Sequence, residues 1–307
     1  MRGGIDLGGT KIEACLFDAR LDEIARRRIP TPASSYEELV DALVQQYEWL
    51  RGEAAVDMLP LGIGIPGLVD IETGLSLTSN LVAHGRPLRQ DLSQRLGFPV
   101  PFQNDCKCFA LSEANGGAGD GYRTVFGLII GTGVGGGVCH AGEIVAGHNE
   151  LPGEVGHLGI PMNAVPGVAL PLVQCKCGRM GCYETLMSGP GISRLAAALT
   201  GRTMRAEEVA AEAVSDDALK RVLDIWAGIA CELFRTLQAT IDPDCIVLGG
   251  GVSRIPGVLE LLRRHMPDHL IEGTRLPVLA LAKHGDSSGV RGAAMLAATP
   301  RSFDPGP

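Results

Sequence analysis

The stretch Gly3-Gly4-Ile5-Asp6-Leu7-Gly8-Gly9-Thr10-Lys11-Ile12-Glu13-Ala14-Cys15-Leu16-Phe17 holds two short apolar runs on either side of a Gly-Gly turn. Runs of that length bounded by turn residues predict two paired strands, with Asp18 to Asp22 as the next turn. The design returns at Val125. Val125-Phe126-Gly127-Leu128-Ile129-Ile130 leads into Gly131-Thr132-Gly133-Val134-Gly135-Gly136-Gly137, then Val138-Cys139-His140 and a turn at Gly142. A strand, a Gly/Thr turn and a returning strand thus occur twice. This weak internal repeat predicts a duplicated domain with a cleft between the copies.

Helices are expected in the intervals. Ser35 and Glu38 have the spacing of a capping box, and Leu39, Leu43, Tyr47 and Leu50 follow at helical spacing. A long helical pattern runs from Asp216 to Ile241 and stops at Asp242-Pro243. The buried-type strand Cys245-Ile246-Val247-Leu248 then enters Gly249-Gly250-Gly251. Alternating strands and helices place the chain in the α/β class. A loop at Asn115-Gly116-Gly117-Ala118-Gly119 sets the expected boundary, giving domains at 1–114 and 115–287. A Gly/Ala-rich C-terminal helix from Ser288 to Ala298, within 288–307, is expected to pack closely on the first domain.

Composition narrows the classes. A chain of 307 residues can hold two cores, and 45% hydrophobic against 20% charged residues describes a folded protein. The 42 glycines exceed the usual share of about 7% and gather at a few turns, where backbone can approach a ligand. A net charge of −8 argues against nucleic acid or an acidic membrane as partner. No apolar stretch reaches the roughly 18 residues of a membrane span, and the N-terminus lacks a secretory core. Nine cysteines without secretory context predict reduced thiols or metal ligation, hence a cytoplasmic protein.

Gly131, Gly133 and Gly136 satisfy G-x-G-x-x-G, with Glu150 about 20 residues on, as in a dinucleotide fingerprint. That fingerprint must open a helix, whereas Val138 to Val145 turns at Gly142 and reads as a hairpin. No Walker lysine pattern follows either glycine turn. The better reading is a pair of nucleotide-phosphate turns, with backbone amides and the Thr10 and Thr132 hydroxyls as donors and Gly249 to Gly251 as a third turn. Asp6 would hold Mg²⁺, through water. The bland alternative is a set of ordinary Gly-rich hairpins.

Asp6-Leu7-Gly8-Gly9-Thr10-Lys11, Ile130-Gly131-Thr132-Gly133-Val134-Gly135-Gly136-Gly137, Glu154-Val155-Gly156-His157 and Cys175-Lys176-Cys177-Gly178-Arg179-Met180-Gly181-Cys182-Tyr183-Glu184 together resemble the ROK family of sugar kinases and repressors. The likeness extends to Lys283-His284-Gly285-Asp286. It implies two actin-like (ribonuclease H-like) ATPase domains, an intervening cleft, a small zinc knuckle, and a homodimer. The substrates implied are a sugar and Mg-ATP, with Gly4 to Lys11, Gly131 to Val138 and Gly249 to Gly251 around the nucleotide. Ser79-Asn80-Leu81 and Leu151 to Leu172 look most like the family's bacterial N-acetylglucosamine kinases. The tail His284-Gly285-Asp286-Ser287-Ser288-Gly289-Val290-Arg291-Gly292 looks more like its fructokinases.

Cys175, Cys177 and Cys182 supply three thiolates within eight residues, and zinc favours four N/S ligands. The resemblance makes His157 the fourth; spacing alone could not choose it, and buried free thiols are the alternative. Cys106 and Cys108 form a further C-x-C pair without a nearby partner and read as packing residues, like Cys15, Cys139, Cys231 and Cys245.

Phosphoryl transfer to a hydroxyl needs a carboxylate within hydrogen-bond reach of that hydroxyl. The strand Val100 to Gln103 delivers Asn104-Asp105 at its end, where α/β sheets place functional groups. By resemblance, Asp105 is the base and Asn104 orients the sugar; a plain helix N-cap is the other reading of Asp105. Asn80, Glu154, His157 and Glu184 are implied as sugar ligands, and Gly67 as a close backbone approach to the sugar. Leu158, Ile160 and Val165 are expected to form part of an apolar patch for an acetamido methyl. Where the family commonly has Asn-Asp-Ala-Asn, this chain has Asn104-Asp105-Cys106-Lys107, which sets a cation beside the catalytic turn.

Three readings compete. A family repressor would carry a helix-turn-helix before the first phosphate turn, and that turn starting at Gly3 leaves no room for one. An actin-like assembly ATPase gives no role to Glu154, His157, Glu184 or the thiols. Fructokinase or glucokinase is the alternative to N-acetylglucosamine kinase.

Overall fold

The computed structural model describes residues 1–78 and 81–297. It divides into two compact units, one formed by Met1–Ser112, Ala146–Leu151 and Asp286–Pro307, the other by Glu113–Val145 and Pro152–Gly285. The division falls within a helix, just before the loop where the boundary was expected. The return of Ala146–Leu151 to the first unit had no local sequence signal.

In the first unit β1 (Arg2–Leu7), β2 (Lys11–Phe17), β3 (Glu23–Pro30), α1 (Tyr36–Ala54) and β4 (Leu61–Ile65) follow in order. The short hairpin β5 (Leu68–Val69) and β6 (Ser76–Leu77), α2 (Leu88–Leu96), β7 (Phe102–Asn104) and α3 (Asp105–Ala114) complete its central run. The sheet order is β3-β2-β1-β4-β7. β1 is antiparallel to β2 and parallel to β4, and β4 is parallel to β7. Ile5, Leu7, Ile12, Leu16 and Ile63 are fully buried against Leu39, Leu43 and Leu50 of α1, whose spacing put them on one face. The Ser35 hydroxyl caps α1 by accepting from Glu38 N, but the Glu38 carboxylate bonds the Ser34 hydroxyl, so only half of the capping box forms.

The second unit contains β8 (Thr124–Ile130), β9 (Val134–His140), β10 (Glu143–Ile144), α4 (Tyr183–Met187), α5 (Gly189–Thr200) and α6 (Ala206–Glu212). α7 (Asp217–Thr240), β11 (Cys245–Gly249), α8 (Val258–His269) and β12 (Val278–Leu281) follow. Its sheet order, β10-β9-β8-β11-β12, repeats the first: antiparallel on one side of the first strand and parallel on the other. The repeat read from two Gly/Thr turns is therefore a repeat of whole sheet topology. β9 and β10 form the hairpin that excluded a dinucleotide helix. α7 buries Trp226, Phe234 and Leu237, and the Trp226 indole N–H donates to Met187 O at 2.9 Å.

The chain returns to the first unit in α9 (Ser288–Leu296). Small residues let it lie directly on the strands: a Cβ at Gly4 would strike Val290 O, and one at Gly62 would strike Ala293 O. On its other side a Cβ at Gly292 would strike Cys108 O, while the buried Arg291 donates to Ser112 O at 2.9 Å. Residues beyond Ala297 lie outside the described part.

Candidate functional site

In the first unit the parallel strands β1, β4 and β7 end together; β1 brings Asp6 there and β7 brings Asn104, on either side of β4. Asp6 pairs in register with Gly64, and Ile65 pairs with Asn104. A Cβ on Gly64 would stand 3.7 Å from Asp6 Oδ1 and 3.8 Å from Asp105 Cα, so the two aspartates meet over a residue without a side chain. Burial pushes the Asp6 carboxyl up to about 7, and the like charges of Asp105 and Glu13 add to this. Such a group gains from a cation. Glu13, opposite Asp6 on β2, is buried and ion-paired with Arg26 and Arg28; sequence reading passed over it because its strand looked plainly apolar.

Asn104, not Asp105, is the main cap of α3. Asn104 Oδ1 accepts from Cys106 N at 2.9 Å and Lys107 N at 3.2 Å, the two-and-three-residue reach of an N-cap. Asp105 Oδ1 accepts from the next amide, Cys106 N, at 2.8 Å, short of the N-cap reach, and Asp105 begins the helix itself. Asn104 Nδ2 donates to Gly67 O at 3.0 Å, which leaves its second amide hydrogen for a ligand oxygen. Gly67 has φ +121° and a Cβ there would strike Leu77 O, so glycine is required at the turn into the β5–β6 hairpin. Asn80 lies outside the described residues.

The first glycine turn joins β1 to β2. Gly9, Thr10 and Lys11 are exposed at its tip, and Thr31 steadies it through bonds to Thr10 O at 3.0 Å and Gly8 O at 2.7 Å. Gly4, Ile5 and Leu7 are buried within β1.

In the second unit the Gly131–Gly133 turn joins β8 to β9, with Thr132 exposed. Gly131 O accepts from Gly189 N at 2.9 Å, which seats the start of α5 on this turn. Gly250, at φ +84°, folds the Gly249–Gly251 turn onto Ile130, where a Cβ would strike the Ile130 carbonyl. At Gly131 and Gly251 nothing stands within 4 Å of where a Cβ would project, so bare backbone faces open space. Gly135, Gly136, Gly137 and Val138 belong to β9 itself, and a Cβ at Gly136 would strike Gly127 O and the Phe126 ring. Gly136 is thus explained by strand packing.

Glu154, His157 and Glu184 meet in this unit. His157 Nε2 lies 3.9 Å from Glu154 Oε2, and Glu184 Oε2 accepts from Val134 N at 3.2 Å. His157 Nδ1 faces the Cys175 thiol at 3.4 Å, and the Cys177 and Cys182 sulfurs are 3.6 Å apart. The four donor atoms of His157, Cys175, Cys177 and Cys182 all lie within 4.8 Å of one another. Thiolates about 2.3 Å from a tetrahedral zinc stand about 3.8 Å apart, so this set has the right size and chemistry for that ion. Burial pushes the Cys182 thiol up to about 12 and raises Cys175, while the Arg179 backbone N–H lowers Cys177. The other six cysteines likewise form no disulfide, and all but Cys106 are buried.

Ile160 and Val165 are partly buried against the second unit's core, and Leu158 is 42% exposed. The Lys107 side chain, beside Asn104-Asp105, is buried, and its ammonium bonds Glu150 Oε2 at 2.6 Å. Glu150 had entered only as a rejected dinucleotide carboxylate. Nothing local in the sequence marks it as Lys107's partner.

Among the described residues, no helix is long and apolar enough to cross a membrane. The ROK family model matches residues 2–299. The chain is 40% identical over 301 residues to an N-acetyl-D-glucosamine kinase of Pectobacterium atrosepticum, covering 95% of this chain and 97% of the relative. It is equally 40% identical over 297 residues to an N-acetylgalactosamine kinase of a Shewanella species, covering 95% of each. Among solved structures, the ROK hexokinase of Thermus thermophilus superposes with a TM-score of 0.84 at 32% identity, covering 96% of both chains. The chain belongs to the ROK family.

Proposed function

We propose that this protein is an ATP-dependent sugar kinase whose acceptor is a 2-acetamido hexose, N-acetylglucosamine in the first place, phosphorylated on its 6-hydroxyl. The meeting of Asp6 and Asp105 over Gly64 carries the reading. It sets a metal-seeking carboxylate beside a second carboxylate at the carboxyl ends of three parallel strands. In this reading Asp105 takes the hydroxyl proton, Asn104 orients the sugar with its remaining amide hydrogen, and Asp6 holds Mg²⁺ through water. Glu154, His157 and Glu184 bind sugar hydroxyls, with Asn80 and Gly67 as further contacts. The exposed Gly/Thr turns at Gly8–Thr10 and Gly131–Gly133, with Gly249–Gly251, bind the nucleotide phosphates.

His157, Cys175, Cys177 and Cys182 would hold a structural zinc. With Nδ1 turned to the metal, His157 keeps Nε2 for the sugar and Glu154. Nine cysteines outside any disulfide and a need for ATP fit a cytoplasmic setting.

The relatives named for N-acetylglucosamine and N-acetylgalactosamine are equally similar, and the two sugars differ only at C4. What they share is the acetamido group, so it is the better-supported part of the substrate. A coupled ADP-release assay across N-acetylglucosamine, N-acetylgalactosamine, N-acetylmannosamine, glucose, fructose and mannose tests this. A higher kcat/KM for N-acetylgalactosamine establishes the second reading. Glucose or fructose at least equal to both acetamido sugars overturns the proposal in favour of a glucokinase or fructokinase.

A further inference from the structure

Lys107 stands in the first turn of α3 with a side chain only 2% exposed. Its ammonium donates to Ala146 O at 3.3 Å, Glu150 O at 2.9 Å and Glu150 Oε2 at 2.6 Å. Three N–H donors meet three acceptors, so a buried charge is fully satisfied. Glu150 is itself nearly enclosed and has φ +57°, a left-handed backbone that a residue with a side chain adopts at a cost. Lys107 grips both its carbonyl and its carboxylate. The same Glu150 Oε2 accepts from Gln103 Nε2 at 3.1 Å, and Gln103 Oε1 accepts from Asn104 N at 2.7 Å. Asn104 Oδ1 then accepts from Lys107 N at 3.2 Å, closing a ring.

We propose that the Lys107–Glu150 pair is a positioning device for the sugar acceptor. Through Gln103 it fixes the backbone of Asn104, and through the first turn of α3 it fixes the Asn104 side-chain plane. It also pins the segment Ala146–Glu150, which leads along the chain to Glu154. The inference rests on the reading of Asn104 as the sugar-orienting residue. A pair serving stability alone would have no reason to act on one substrate. This ring closes on both the backbone and the side chain of the residue assigned to the sugar, so its loss acts on sugar before nucleotide. Groups that support a binding residue must hold it within a fraction of an ångström. Breaking a buried pair from one side is worse than removing both partners, because a charge is left unpaired.

The test uses the full-length enzyme, with N-acetylglucosamine binding followed by calorimetry and turnover by ADP release. Lys107→Met is expected to raise the sugar Kd and KM about 10-fold or more while the ATP KM stays within about twofold. Lys107→Met/Glu150→Leu, with no lone carboxylate left, should recover much of that loss. A sugar Kd within twofold of the unmutated enzyme, or an ATP KM rising in step with it, overturns the proposal. If Lys107→Met does not fold, Glu150→Gln carries the test: a rise of about threefold in sugar Kd supports it, and an unchanged Kd overturns it. Asn104→Ala separates the two layers. Unchanged sugar binding in that variant removes the reading of Asn104; weakened binding there, with unchanged binding in Lys107→Met, removes only the present inference.

Discussion

Asp105→Asn removes a charge and leaves the shape. The helix cap survives, because Asn104 Oδ1 continues to hold Cys106 N at 2.9 Å and Lys107 N at 3.2 Å. The new amide keeps an oxygen for Cys106 N, so the stability change should stay below about 1 kcal/mol. Sugar binding should also persist, since the amide can still accept from the acceptor hydroxyl and the other assigned polar contacts are untouched. Turnover should not. Loss of a general base costs about 10²–10⁴-fold, or roughly 3–5 kcal/mol of barrier. A second effect follows at Asp6, whose carboxyl sits near 7 because of burial first and Asp105 next. Magnesium needs this group ionised, so in the unmutated enzyme metal affinity should rise with pH up to about 7; in Asp105→Asn the rise should come at lower pH. For the metal-free protein the sign is the reverse: a raised carboxyl favours folding below its ordinary 3.8 and loses that advantage as pH climbs through about 7. ADP-release kinetics, sugar calorimetry and thermal melts at pH 6, 7 and 8 measure all three effects. Turnover within tenfold of the unmutated enzyme, with the melt unchanged, would refute Asp105 as the base.

Cys177→Ser should abolish bound zinc and raise the sugar KM with little change in the ATP KM; metal analysis finding no zinc in the active unmutated protein ends that proposal. Gly133→Ala should fold, because the added methyl meets only the far end of the Glu184 side chain, at 2.5 Å from Oε2, and no backbone. It should nevertheless displace Glu184 and raise the sugar KM several-fold, and an unchanged KM would remove Glu184 from the sugar site.

The two strand–turn–strand units were legible because each lies within fifteen or so residues, where apolar runs and glycines speak for themselves. α1 and α7 were legible for the same reason: their periodicity is local. Asn104-Asp105 was visible as a polar pair ending a strand, but which of the two caps α3 depends on side-chain direction, which spacing does not encode. Gly67 and Gly136 could be marked as special, yet their reasons, Leu77 O and the Gly127–Phe126 surface, come from distant segments. Glu150 was illegible as a partner for Lys107 because a single long-range contact leaves no periodic trace.

The sugar-binding groups assigned in each unit rest on polar anchors in addition to apolar packing, and local structure explains why. Glu154 and His157 stand in a loop with one 3₁₀ turn, Val155–His157, and the segment after it exposes Leu158, Met162, Leu172 and Met180. Two isolated bridges, Gly159 to Cys182 and Gln174 to Met180, are its only sheet contacts among the described residues. Side chains turned to water contribute little stabilisation at roughly 25 cal/mol per buried Å². Ile160, Val165 and Val168 tie the loop partly to the core, and three thiols with an imidazole at zinc spacing supply an anchor stronger per residue. In the first unit the segment Ala146–Leu151 likewise has no strand or helix of its own, and a buried ammonium with three acceptors does the corresponding work. The consequence is selective: chelation or Lys107→Met should loosen sugar contacts while both β-sheets, apart from the end of β7 at Gln103 and Asn104, keep their amide protection from exchange.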